Sequence, residues 1–145
     1  MANILRLPEG QIEPICKPFF EFVTGKLEEQ RRLDGEKKAL ICGETGESLT
    51  YGQLLERAKS IESYLYKNGL QKDDTLLICL PNNLEWHCIY LGAASRGAIV
   101  SGVNPVYTEF EIAKQINDTK PKFIFTADVL LEKVVSAWQN EGSSA

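Results

Sequence analysis

The chain alternates short apolar runs with longer segments whose apolar residues recur at helical spacing. In FFEFVTGKLEEQRRL, Phe19, Phe22, Val23 and Leu27 fall close to one stripe with charges opposite, which predicts an amphipathic helix. Ahead of it, residues 1–17 are punctuated by Pro8 and Pro14 and are expected to be extended, with Pro18 just beyond. KKALIC and SLTY then read as two strands, joined by GETGE as the turn of a hairpin whose glycines supply positive φ. Thr50 and Gln53 stand in the S/T-x-x-E/Q relation: the threonine accepts from the backbone N–H of residue 53 while Gln53 reaches back, so a helix is expected to open there. Leu54, Ala58, Ile61 and Leu65 give this helix its apolar face, and Asn68 and Gly69 stop it.

From residue 75 the pattern becomes regular. TLLICL reads as a strand, and Asn82 with Glu85 opens a mostly apolar helix that ends near Arg96 and Gly97. AIVSGV is the next strand. Thr108 and Glu111 form a second capping pair at the head of a helix through Ile112 and Ile116, followed by the strand KFIFTA. A last helix is capped by Asp128 and expected to turn Leu131, Val134, Val135 and Trp138 inward, before a frayed polar tail over residues 140–145. Strand–helix units in series predict a parallel sheet, and strands apolar on both faces, such as LLICL and FIF, fit helices on each side of it. The expected fold class is α/β: a partial parallel sheet flanked by helices, preceded by an N-terminal helix and a β-hairpin.

Composition narrows the function classes. With 145 residues and 43% hydrophobic content, the chain is long enough for one domain with a real core. A net charge of −4 with mixed signs argues against a nucleic-acid or anionic-membrane surface. The richest basic stretch, Lys26 to Lys38, also holds Glu28, Glu29, Asp34 and Glu36, which makes it a solvated helix face. Cys16, Cys42, Cys79 and Cys88 lack CxxC spacing, three of them lie in apolar runs, and a reducing compartment is expected. No membrane span is expected, because Arg96 and glycines interrupt the CIYLGAASRGAIVSGV stretch.

Candidate chemistry is sparse. A Walker loop needs G-x-x-x-x-G-K-S/T, whereas Gly43 and Gly46 are too close together and Glu47 stands where the lysine should be. Glu44 adds a second carboxylate, the wrong sign for a polyanion. The dinucleotide fingerprint G-x-G-x-x-G does not occur. His87 and Cys88 are sequence neighbours whose helical directions differ by about 100°, against a shared metal. Glu85, His87 and Arg96 could form an acid–base cluster on the apolar helix, but Glu85 suits its first turn and Arg96 its last on dipole grounds alone. The loop GVNPVYTEFE follows a strand end, where open α/β sheets place ligands, and Tyr107 is its pocket candidate. No catalytic, cofactor-binding or metal residue is assigned.

The motifs LTYGQL, the turn at Gly69, Leu70, Lys72 and Asp74, LPNNLEW, RGAIVSGVNPVYT and EFEIAKQINDTKPKFI occur in order over residues 19–135. Together they resemble the N-terminal part of the adenylate-forming superfamily, within it acyl-CoA synthetases, 4-coumarate–CoA ligases and luciferases. The resemblance implies that residues 18–139 are the opening, incomplete part of an AMP-binding large domain. In the full-length family, ATP and Mg²⁺ activate a carboxylic acid to an acyl-adenylate, and many members pass the acyl group to CoA. The family's phosphate loop ending in Pro-Lys-Gly and its C-terminal lysine have no counterpart in these residues, so no cofactor is expected for this chain alone. The alternative is a non-catalytic interaction or ligand-binding domain that self-associates, or pairs with a full-length relative, through an uncovered sheet edge. A cytoplasmic location is expected, with the peroxisome open to full-length relatives; the last three residues, SSA, are not a peroxisomal tripeptide.

Overall fold

The structure is a computed structural model and describes residues 17–139. The extended segment expected over residues 1–17 therefore lies almost wholly outside the described residues, as do Cys16 and the tail at 140–145. The first helix, α1, runs Phe19–Leu33 and is followed by the antiparallel hairpin β1 (Lys38–Ile41) and β2 (Ser48–Thr50). Next comes α2, Tyr51–Lys67. Three strand–helix units follow among the described residues: β3 (Thr75–Cys79), α3 (Leu84–Ser95), β4 (Ile99–Gly102), α4 (Glu109–Thr119), β5 (Phe123–Thr126) and α5 (Asp128–Gln139).

The expected capping boxes are both present. Thr50 Oγ1 accepts from Gln53 N at 3.2 Å while Gln53 Oε1 accepts from Thr50 N at 2.9 Å. Thr108 and Glu111 repeat the arrangement at the start of α4. The cap of α3 is shifted by one residue from expectation: Asn83, not Asn82, accepts from Trp86 N at 3.0 Å. Glu85 is thereby left at the second helical position, where it meets the positive end of the helix dipole without closing a box.

Strands β3, β4 and β5 form a parallel sheet in the order β4-β3-β5, as the strand–helix alternation predicts. The central strand is buried on both faces. Leu77 and Cys79 pack with Ile112, Ile116, Val134 and Ala137 of α4 and α5, while Leu76 and Ile78 pack with Leu65, Leu70, Ile89 and Ala93 on the other face. Outside that second face, Leu54 and Ala58 of α2 meet Cys88 and Leu91 of α3, together with Leu49 of the hairpin. No helix among the described residues is long and apolar enough to cross a membrane.

Two helices turn a different stripe inward from the one expected. On α1, Phe20, Val23 and Leu27 pack inward, while Phe19 and Phe22 are exposed. On α5, Leu130, Val134 and Ala137 form the inner face, and Leu131, Val135 and Trp138 are 49%, 43% and 44% exposed. Both sequences carry two overlapping apolar stripes, and the neighbouring elements decide which is covered.

Candidate functional site at the hairpin turn and the β3–α3 loop

A cleft of about 570 Å³ opens where the hairpin turn faces the loop between β3 and α3. Its walls are the GETGE turn on one side and Pro81 to Glu85, from the LPNNLEW motif, on the other. The turn is closed by backbone bonds, Cys42 N to Glu47 O at 2.7 Å and Gly46 N to Cys42 O at 2.9 Å. Gly46 has φ +75, a conformation that L side chains rarely adopt. Only this glycine supplies the positive φ expected of the turn: Gly43 does not.

The chemistry of the cleft follows from its charges. Among the described residues, Glu44, Glu47 and Glu85 line it against one cation, Arg57, and Arg57 is held by Glu85 in an ion pair that ties α2 to α3. Both partners are about half exposed, so the pair adds at most about 1 kcal/mol. Nucleotide phosphates need free cations, and among the described residues the arginine lining this cleft is already paired while three carboxylates face it. The lining therefore does not fit ATP with its Mg²⁺.

The Cys42 thiol is held below its ordinary range, first by the Thr45 hydroxyl and then by the backbone N–H groups of Thr45 and Glu44. The two buried thiols behave oppositely. Burial raises Cys79, and burial together with the Glu85 charge pushes Cys88 up to about 11.

The sequence candidates are dispersed. His87 is exposed, edge-on to Trp86 at 5.7 Å, while Cys88 is fully buried, so the two neighbours point apart. Arg96 lies 3.6 Å from Glu62 and stacks over Tyr66 at 4.2 Å from the ring centroid. With Glu85 on Arg57, the supposed acid–base cluster of Glu85, His87 and Arg96 does not form. Tyr107 is 38% exposed, its N–H bonded to Asn104 O at 3.0 Å. That loop is further held by Asn104 Oδ1, which accepts from Val106 N, and by Lys133 Nζ, which donates to Pro105 O at 3.1 Å. The residue that sequence reasoning missed is Arg57. Its partner lies 28 positions away, and nothing local signals the pairing.

The sequence profile of the AMP-binding enzyme family matches residues 27–144, most of the chain. The chain belongs to the AMP-binding enzyme family. Among curated relatives, 4-coumarate–CoA ligase 1 of Petroselinum crispum is 40% identical over 100 residues, 69% of this chain and 18% of that protein. A probable CoA ligase of Humulus lupulus is 38% identical over 125 residues, covering 86% of this chain and 23% of its own length. This family member thus spans about a fifth of the length of the curated relatives it matches. The fold agrees with that of the luciferase-like enzyme of the mealworm Zophobas morio, with a TM-score of 0.82 over 90% of this chain and 30% of that one at 20% identity. Within this frame, Gly69 to Asp74 has a structural role at the amino end of β3. Asp74 Oδ2 accepts from Gln71 N at 2.6 Å and from Lys122 Nζ at 2.8 Å, which joins that turn to the start of β5.

Proposed function

We propose that this chain is the opening part of the large domain of an ATP-dependent carboxylic acid–CoA ligase, and that these 145 residues alone do not form an acyl-adenylate. The family match and the strand–helix order support the first statement. One observation carries the second: the glycine-containing loop is a closed hairpin turn that sets Glu44 and Glu47 beside a cleft whose arginine, Arg57, is already paired. Stabilising the pyrophosphate that leaves during adenylation requires preorganised positive groups, and carboxylates there raise the barrier.

The test is carboxylate-dependent ATP–pyrophosphate exchange by the purified chain, with 4-coumarate and a range of aliphatic acids. No exchange above the carboxylate-free blank is expected; clear turnover with any acid overturns the inactivity. A second reading, a non-catalytic interaction domain, is favoured by the exposed apolar stripe of α5.

A further inference from the structure

Gly25 lies inside α1, and nothing in the packing requires a glycine there. A Cβ at this position would meet nothing within 4 Å, and the φ of Gly25 is not positive. What the glycine still supplies is a point at which the helix unwinds at low cost. The residue before it adds to this weakness: Thr24 Oγ1 donates back to Phe20 O at 2.8 Å, a bond that destabilises and bends helices.

The two halves of α1 on either side of Gly25 are held differently. Residues 26–33 are Lys, Leu, Glu, Gln and Arg, all strong helix formers, with ion pairs Lys26–Glu29 at 2.9 Å and Glu28–Arg31 at 2.7 Å. This half is also fastened to its surroundings. Glu28 reaches Lys59 of α2 at 3.6 Å, Lys37 Nζ donates to Gln30 Oε1 at 3.2 Å, and the Arg31 stem packs beside Gly52. Residues 19–24, by contrast, are Phe, Phe, Glu, Phe, Val and Thr, mostly poor helix formers, and Pro18 before them offers no side-chain cap. Among the described residues, no ion pair or side-chain hydrogen bond ties this half to another element. Its hold is the partial burial of Phe20 and Val23 and the edge-on contact of Phe19 with Tyr90, 6.2 Å between ring centroids. Even that packing is incomplete, because a cavity of about 180 Å³ separates Phe20 and Thr24 from Leu55, Ala58 and Ser95 on α2 and α3.

We infer that residues 19–24 form a flap that unwinds as a unit about Gly25 and opens this cavity along one wall, while residues 26–33 stay in place. The closed form predominates, and opening is a local event that leaves the hairpin and the sheet folded. Gly25 is the hinge, a small residue at the junction of a weakly held and a firmly held segment.

Amide hydrogen exchange of the full chain, read residue by residue by NMR, tests the inference. The N–H groups of Val23, Thr24, Gly25 and Lys26 bond to carbonyls inside the flap, and those of residues 30–33 bond to carbonyls beyond the hinge. The first group should be protected on the order of a hundredfold less than the second. Its four protection factors should also agree with one another, because one opening exposes all four. Gly25→Ala should slow exchange of the first group about fivefold and Phe20→Ala should speed it about tenfold, each leaving residues 30–33 unchanged. Equal protection along the whole helix overturns the inference, as does protection that climbs one residue at a time from Val23, which is end fraying. So does a first group indifferent to Gly25→Ala, or a response to either variant that reaches residues 30–33 in equal measure.

Discussion

Gly92→Ala should destabilise the protein, although alanine is the better helix former. The residue lies in α3, where that helix crosses α2, and it is buried there. A Cβ at this position would sit 2.8 Å from Ala58 O and 2.9 and 3.0 Å from the Cγ2 and Cβ atoms of Ile61. The nearest obstacle is backbone, so no rotamer change relieves it; α2 and α3 must separate by several tenths of an ångström. Overpacking of this kind costs about 1–3 kcal/mol. Replacing glycine in a helix returns about 1 kcal/mol through propensity and the unfolded chain. The clash falls on main chain and on a branched side chain, which places its cost at the upper end, and a net loss of about 2 kcal/mol follows. For a domain of this size that lowers the midpoint by about 5–8 °C. The control is Gly25→Ala in α1, where an added Cβ meets nothing within 4 Å. This control should gain about 0.5–1 kcal/mol from the same propensity term. Urea unfolding followed by far-ultraviolet circular dichroism measures both variants. If Gly92→Ala matched or exceeded the wild-type midpoint while Gly25→Ala behaved as expected, close helix approach at position 92 would not be what the fold requires.

Thr50→Ala removes the acceptor for Gln53 N and should cost about 1 kcal/mol, with Thr50→Ser retaining most of it; an unchanged melting temperature for the alanine variant refutes the capping argument. Asp74 supplies a pH-dependent contribution, because the Lys122 ammonium and then the Gln71 N–H hold its carboxyl below the ordinary aspartate range. A depressed folded-state value means that this stabilisation is fully present above the unfolded value, about pH 4, and is lost as pH falls through the lower folded value. The stability gap between wild type and Asp74→Asn should therefore be constant near neutrality and close under acid. A gap that persists unchanged down to the most acid pH at which both proteins still fold would show that the aspartate acts by shape rather than by charge.

What the sequence determined by itself was local in origin. The hairpin, the strand–helix alternation and the caps at Thr50 and Thr108 each depend on residues a few positions apart, whose hydrogen bonds form wherever the helix forms. The order of LTYGQL, LPNNLEW and the motifs after them likewise carried the family, which the profile over residues 27–144 bears out. Choices between near-equal local alternatives were not legible. Asn82 and Asn83 can both cap, and where the chain leaves β3 selects Asn83. α5 offers Leu131, Val135 and Trp138 almost as good a claim to the core as Leu130, Val134 and Ala137, and α4 with the sheet face settles it. The candidate site was legible only in the negative: the acidic turn excluded a phosphate loop, but the Arg57–Glu85 pair that neutralises part of the cleft joins residues 28 positions apart. Periodicity encodes which faces are apolar, because that depends only on geometry within one element. Which apolar face is buried and which charges meet depend on contacts between elements, and those exist only once the chain has packed.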